Sequence, residues 1–302
     1  MQLLPVGLTY FAEVARAGSV TEAARALTVA PSAISRQIAK LEADLGVPLF
    51  ARHPRGMTLT DAGARLLAHA RRTEAESAAL VGELRQGDGS EARRVVVACS
   101  EGFGRRIVPR AMAAFRREHP GVTFQLDIVP REEATRRVVD GIADVAVTYT
   151  MGPQHDVRVE CAVVTEVVAV VPGGHELAGR ERIGLAELCA HPLALASSRT
   201  SQRELFDLGA RMEGLEVAPV LVCDGLAPLY EFVRGGGGIA LVGDLGDLDR
   251  GTTGDGVAYV RLDHPVFRQR EAQVQTMLGR RLPSSAMQFT GLLVSLLREA
   301  AR

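Results

Sequence analysis

The segment SVTEAARALTVAPSAISRQIAK, residues 19–40, predicts two short helices separated by a tight turn. Ser19 and Thr21 can cap the first of these helices, which we expect to end at Leu27. Pro31 suits the first turn of the next helix because its ring already fixes a helical φ. The segment therefore predicts a helix-turn-helix.

The helix that begins at Pro31 has an apolar side and a polar side. The apolar side is expected to pack on neighbouring helices and consists of Ile34, Ile38, Leu41 and Leu45. Short polar side chains followed by Arg and Gln can hydrogen-bond base edges and phosphates in a major groove. The residues predicted to contact DNA here are Thr21, Pro31, Ser32, Ser35, Arg36, Gln37 and Lys40. On spacing alone, a small helical bundle with an ordinary polar surface is an equal alternative.

The next stretch, VPLFARHPRGMTLTDAG at residues 47–63, predicts two short extended pieces around residues 53–56. Arg52 and Arg55 would lie near the tip of this wing. An arginine there can reach a phosphate or a narrow minor groove, so both are predicted to contact DNA.

The segment from Phe11 to Gly63 resembles the DNA-binding half of the LysR-type transcriptional regulators, aligned without gaps. The matching motifs are Phe11-x-x-Val14-Ala15-x-x-Gly18-Ser19, Ala23-Ala24 with Leu27, Ser35-Arg36-Gln37-Ile38 with Leu41-Glu42, Leu45-Gly46, Leu49-Phe50-x-Arg52 and Leu59-Thr60-x-x-Gly63. Many members carry Gln-Pro at the start of the recognition helix, whereas this chain carries Pro31-Ser32. The resemblance implies a winged helix-turn-helix at residues 1–59 that binds double-stranded promoter DNA.

A heptad-like seam follows the predicted wing and indicates a long helix at residues 60–90, ending in a small polar hinge, GDGS. The seam consists of Leu59, Gly63, Leu66, Ala70, Thr73, Ser77, Leu80 and Leu84. This helix could pair with a second copy or dock on its own chain. Resemblance to LysR-type proteins favours pairing, and implies a homodimer or a homotetramer.

From Arg93 onward, short β-branched runs alternate with helical stretches, which is typical of α/β domains. The runs include RRVVVACS at residues 93–100 and ADVAVTYT at residues 143–150. Residues 91–302 resemble the family's effector domain, which is similar to periplasmic solute-binding proteins. The resemblance implies two α/β lobes joined by two crossing strands, and an α plus α/β architecture for the whole chain.

Ligands of open α/β sheets bind beyond the carboxyl ends of strands, where helix N-termini present amide groups. The effector-binding residues predicted by this rule are Ser100, Glu101, Gly102, Phe103, Thr148, Tyr149, Ser197, Ser198, Thr200, Asp224, Gly225 and Leu226. Helix N-termini together with Arg199 or Arg203 favour an anionic ligand such as a carboxylate. The alternative is that these residues are ordinary caps and turns.

The composition narrows the remaining classes of function. The 35 basic and 36 acidic residues exclude a generally cationic protein, so DNA binding must depend on a local surface. The four cysteines have no spacing typical of a metal site, and are expected to act as small apolar side chains. We expect no metal and no cofactor.

Two other functions compete with transcription regulation. An enzyme is not expected, because the chain lacks the common nucleophile, metalloprotease, Walker and dinucleotide motifs, and the glycines at 235–238 precede a predicted strand. A transporter's solute-binding protein would need a signal peptide, which we do not find, and would not need the helical N-terminal region. We therefore expect a cytoplasmic, nucleoid-associated regulator that can also contact RNA polymerase.

Overall fold

The computed structural model describes residues 4–53, 56–86, 94–198, 200–246 and 256–301. The chain forms two compact units. The first comprises residues 1–90 with two short segments, 139–142 and 277–283, and the second comprises the remainder. The predicted hinge at residues 87–90, Arg55 and Arg199 lie outside the described residues.

The first unit is a winged helix-turn-helix followed by a long helix, as predicted. Its elements are α1 (Val6–Ala17), α2 (Val20–Leu27), α3 (Pro31–Leu45), β1 (Phe50–His53), β2 (Gly56–Leu59) and α4 (Asp61–Gln86). The strands β1 and β2 pair antiparallel to form the wing.

Local sequence explains where the first helices begin and end. Gly18 ends α1 with a φ of 67°, a value that suits a residue without a Cβ. The Ser19 side chain accepts a hydrogen bond from the Glu22 amide, which caps α2. Thr28 then adopts a φ of 56° at the tight turn before α3. The turn at Gly18 and Ser19 sets the angle between α1 and α2, and the turn at Thr28 sets the angle between α2 and α3.

The core of the first unit holds α3 by its apolar side. Ile34 and Ile38 are buried together with Phe11 and Phe50, whose ring centroids lie 5.2 Å apart. The predicted packing of Leu45 is wrong: its side chain is 49% exposed, because this last turn of the helix lies beyond the core.

The second unit contains two α/β lobes, as predicted. The first lobe has a five-stranded sheet of order β4-β3-β5-β13-β6. Its strands are β3 (Arg94–Cys99), β4 (Thr123–Ile128), β5 (Val145–Thr150), β6 (Val157–Thr165) and β13 (Arg270–Met277). Its helices are α5 (Glu101–Arg105), α6 (Ile107–Glu118), α7 (Arg131–Val139) and α11 (Ser284–Ala300).

The second lobe has a six-stranded sheet of order β10-β9-β11-β7-β12-β8. Its strands are β7 (Val167–Pro172), β8 (Arg182–Ile183), β9 (Leu193–Ala196), β10 (Leu221–Cys223), β11 (Ile239–Gly243) and β12 (Val257–Leu262). Its helices are α8 (Leu185–Cys189), α9 (Ser201–Met212) and α10 (Leu226–Arg234).

The chain passes between the two lobes twice, which confirms the predicted crossing strands. Glu166 alone separates β6 from β7, and Gln269 separates a short 3-10 helix from β13. The glycine run precedes β11, as expected. Gly238 has a φ of 154°, and a Cβ there would lie 2.4 Å from the Pro192 carbonyl oxygen, so only glycine fits. This run serves the packing of the second lobe.

Candidate functional site

The polar face of α3 is exposed to solvent. Ser32, Ser35, Arg36 and Lys40 are all exposed, as are Pro31 at the start of the helix and Thr21 on α2. Gln37 is half-buried, and its Oε1 lies 3.7 Å from the position of a Cβ on Gly7. The face therefore combines hydrogen-bonding groups that water can reach with one side chain that contacts α1.

Hydrogen bonds outside the helices hold the wing in place. The Glu42 carboxylate, on α3, accepts hydrogen bonds from the amides of Leu49 (2.8 Å) and Phe50 (3.3 Å). The Thr60 hydroxyl donates to the Pro48 carbonyl and accepts from the Gly63 amide. Arg52 lies on β1 opposite Met57; its side chain lies outside the described part of the chain.

The start of α4 is fixed by close packing against the wing. A Cβ on Gly63 would lie 2.1 Å from the Leu49 carbonyl oxygen, so the helix can approach only because this residue is glycine. Leu59 precedes α4 and lies in β2, which corrects its predicted place in the helical seam. Ala70 is buried, whereas Leu80 is 48% exposed.

A cavity of about 360 Å³ lies between the two lobes of the second unit. This volume is typical of sites for small molecules. Its lining includes eight of the residues predicted from the rule that ligands bind beyond the carboxyl ends of strands, here called the rule of strand ends. They are Ser100, Glu101, Gly102, Tyr149, Ser197, Thr200, Asp224 and Leu226.

Four predicted residues do not line the cavity. Phe103 and Thr148 are buried, because the Phe103 ring packs on Tyr149 and the Thr148 hydroxyl lies 2.9 Å from the Ser100 hydroxyl. Ser198 is exposed beside the cavity. Gly225 precedes α10, and its α-carbon faces Pro228 and the Glu101 carboxylate.

Sequence reasoning missed the other lining residues, which are Ile128, Val129, Pro130, Arg131, Ser201, Gln202 and Gly243. The same rule of strand ends, applied to β4 and β11, would have found several of them. Arg203, predicted near the ligand, instead donates to Asp207 and to the Ala196 carbonyl.

Several polar contacts join the two lobes beside the cavity. The Glu101 carboxylate accepts a hydrogen bond from the Leu226 amide at 2.9 Å, at the N-terminus of α10. Arg131 forms an ion pair with Glu204 on α9, at 2.8 and 3.0 Å. These contacts place charged groups on both walls of the cavity.

Arg270 lies directly behind the cavity wall and is fully buried. Its guanidinium donates to the Thr165 hydroxyl, the Glu166 carbonyl and the Ser201 hydroxyl, and lies over the Tyr149 ring. Burial lowers the pKa of Arg270, while the charges of Tyr149 and Asp244 oppose this shift. Each of the groups that bind it is part of the wall or of the crossing between the lobes.

None of the four cysteines is exposed. Cys99 and Cys161 are buried, and Cys189 and Cys223 are half-buried. Burial raises the pKa of Cys99 to about 12, so its thiol stays protonated at neutral pH.

A winged helix-turn-helix unit followed by a two-lobed unit with a ligand-sized cavity defines the class of ligand-responsive DNA-binding regulators. The model of bacterial regulatory helix-turn-helix proteins of the lysR family matches residues 6–64, and that of the LysR substrate binding domain matches residues 88–298. The chain belongs to the LysR family of DNA-binding transcriptional regulators.

Individual relatives span nearly the whole chain. An uncharacterized HTH-type transcriptional regulator of Mycobacterium bovis, Mb2303c, is 31% identical in an alignment 295 positions long that covers 90% of each chain. The PA01 protein of Pseudomonas aeruginosa, a LysR-family structure, is 26% identical with a TM-score of 0.56, and the match covers 96% of this chain and 98% of that one. Full-length CbnR in complex with its target DNA is 24% identical with a TM-score of 0.52, over 98% and 99% of the two chains.

These findings exclude a transporter's binding protein as the identity of the chain. No helix in the part of the chain that the structure describes has the length and hydrophobicity to cross a membrane.

Proposed function

We propose that α3 is the recognition helix and that its exposed face reads the bases of a promoter. The observation that carries this proposal is the division of the helix, with Ile34 and Ile38 held in the core and the opposite side open to solvent. The base-reading residues are Ser32, Ser35, Arg36, Gln37 and Lys40. Thr21 and Pro31 lie against the DNA backbone, and Arg52 and Arg55 of the wing reach phosphate or a minor groove.

The functional form is a homodimer or a homotetramer, in which two copies pair through α4. The first half of the seam, including Gly63 and Ala70, already packs within its own unit. The later position Leu80 is exposed and is available to a second copy. Pairing along α4 would hold two recognition helices over neighbouring major grooves.

A small molecule bound between the lobes of the second unit controls the regulator. A ligand can shift the protein between two arrangements only through its different affinities for them. Closure of the lobes on the effector would therefore change the separation of the recognition helices and the bend of the DNA. We keep from the sequence analysis an effector that carries an acidic group such as a carboxylate, with the first turn of α9 as its anchor.

The chain acts without catalysis, and its place is the cytoplasm, at the nucleoid. In support, both domain models that match the chain belong to a family of transcriptional regulators. Binding beside a promoter also allows a contact with RNA polymerase.

The test is a nuclease footprint on the DNA that flanks the chain's own gene, with and without candidate metabolites. We expect a protected region with two half-sites, altered by at least one metabolite. Arg36→Ala should abolish the footprint at a protein concentration that just saturates it for the wild-type chain. Arg16→Ala, the control, should preserve it, because Arg16 lies on α1 and pairs with Glu13. If the chain protects no part of this DNA in preference to the rest, the proposal is contradicted.

A further inference from the structure

One side of the cavity carries two carboxylates without a cationic partner. Glu101 and Asp224 both line it, and neither forms an ion pair with any residue that the structure describes. The Leu226 amide occupies one Glu101 oxygen, Oε1, while hydrogen bonds involving Oε2 are absent among the described residues. This end therefore presents negative charge and hydrogen-bond acceptors.

The side formed by the start of α9 has the opposite character. Ser201 lines the cavity, and its hydroxyl is bound to the buried guanidinium of Arg270. The three hydrogen-bond acceptors of Arg270 are neutral, and the charge of Asp244 also acts on it. Because a buried charge is poorly screened, this cation acts on a ligand through a single layer of side chains.

The third charged group in the wall does not alter this polarity. Arg131 forms ion pairs with both Glu132 and Glu204, so it adds no uncompensated positive charge to the wall. The positive end of the α9 dipole adds to the field of Arg270, because Thr200 and Ser201 lie at the start of this twelve-residue helix. The cavity is thus negative at Glu101 and Asp224 and positive at Ser201.

We propose that the effector is a small amphoteric molecule, with its acidic group toward Ser201 and Arg270 and an ammonium group toward Glu101 and Asp224. The inference rests on the proposed function, in which the effector binds in this cavity. A dicarboxylate would bring its second charge against Glu101, and like charges at such a contact are strongly disfavoured. A simple amine would offer no acidic group to the start of α9, where Ser201 binds the Arg270 guanidinium.

The test measures which charge class binds the full-length chain. The probes are 4-aminobutyrate, succinate, butyrate and butylamine, which share a four-carbon skeleton, followed by a compound library with equal numbers in the same four classes. Thermal shift finds the binders and calorimetry gives their affinities. We expect the wild-type chain to bind amphoteric compounds at least about tenfold more tightly than matched diacids.

Glu101→Gln is the informative variant, because glutamine keeps an acceptor for the Leu226 amide and removes only the charge. It should cut the preference for amphoteric compounds over diacids by about tenfold. Glu118→Gln, the control, makes the same change at an exposed residue at the end of α6, outside the cavity wall, and should leave the preference unchanged.

Arg270→Lys and Arg270→Met test the positive side of the cavity, at Ser201. The lysine variant should keep the preference for an acidic group, and the methionine variant should lose it. If Arg270→Met does not fold, Glu101→Gln decides alone.

Equal binding of diacids and amphoteric compounds by the wild type would overturn the inference, as would an unchanged preference in Glu101→Gln. If diacids or neutral compounds bind and also alter the footprint, only the inference fails. If no class binds at all, the proposed effector cavity fails with it.

Discussion

The recognition helix and the effector cavity hold their polar groups in opposite surroundings. On α3, Arg36 and Lys40 are exposed, and the core is built without them. Behind the cavity, Arg270 is fully buried and joins Thr165, Glu166 and Ser201. Substitutions on the exposed face of α3 can therefore change DNA recognition with little effect on the free energy of unfolding. A substitution of Arg270, in contrast, changes both the polarity of the cavity and the stability of the second unit.

The largest expected effect is on stability. Arg270→Met should lower the free energy of unfolding by about 3 kcal/mol, because it strands three buried hydrogen-bond acceptors. Arg158→Met, at an exposed arginine of β6, should cost no more than about 0.5 kcal/mol. Urea unfolding of the full chain measures both. An equal decrease in the free energy of unfolding of the two variants would contradict the coupling between the polarity of the cavity and the stability of the second unit.

The next effect is on DNA affinity without a loss of stability. Arg36→Ala should weaken binding to the specific promoter fragment by about 10- to 100-fold, the value of one good contact between arginine and guanine. Its free energy of unfolding should stay within about 0.5 kcal/mol of the wild-type value. Fluorescence anisotropy and urea unfolding give the two numbers, and a marked loss of stability would place Arg36 in the core.

A smaller effect is expected at the wing. Arg55→Ala should weaken binding to all DNA sequences alike, and should reduce the slope of log affinity against log salt by about 1, because a phosphate contact releases counterions. Anisotropy titrations over a salt series measure this slope. A loss confined to the specific fragment would instead make Arg55 a base-reading residue.

The difference between the two regions also decided what the sequence could predict. The face of α3 lies within one helix, so periodicity alone separates Ile34 from Arg36. The cavity joins segments far apart in the chain. Of the residues predicted at strand ends, Ser100 and Asp224 line it, whereas Thr148 is buried with its hydroxyl 2.9 Å from that of Ser100. No local pattern distinguishes Arg270, since its burial depends on the crossing of β13 between the lobes.

The smallest expected effect concerns Cys99. Because burial raises its pKa to about 12, the thiol should remain protonated, and iodoacetamide at pH 8 should leave it unmodified in the native chain. In the unfolded chain the thiol regains its ordinary pKa and should react. Peptide mass spectrometry checks both states, and rapid native labelling of Cys99 would show that its pocket opens readily.

The central claim is that the polar face of α3 enters duplex DNA. The most direct measurement places a DNA-cleaving iron chelate on that face, through Ser35→Cys in a chain whose four native cysteines are replaced by alanine. We predict cleavage at a few base pairs within each half-site of the promoter, and none from a chelate attached through Arg16→Cys on α1. Equal cleavage from both positions, or none from position 35 on bound DNA, would contradict the claim.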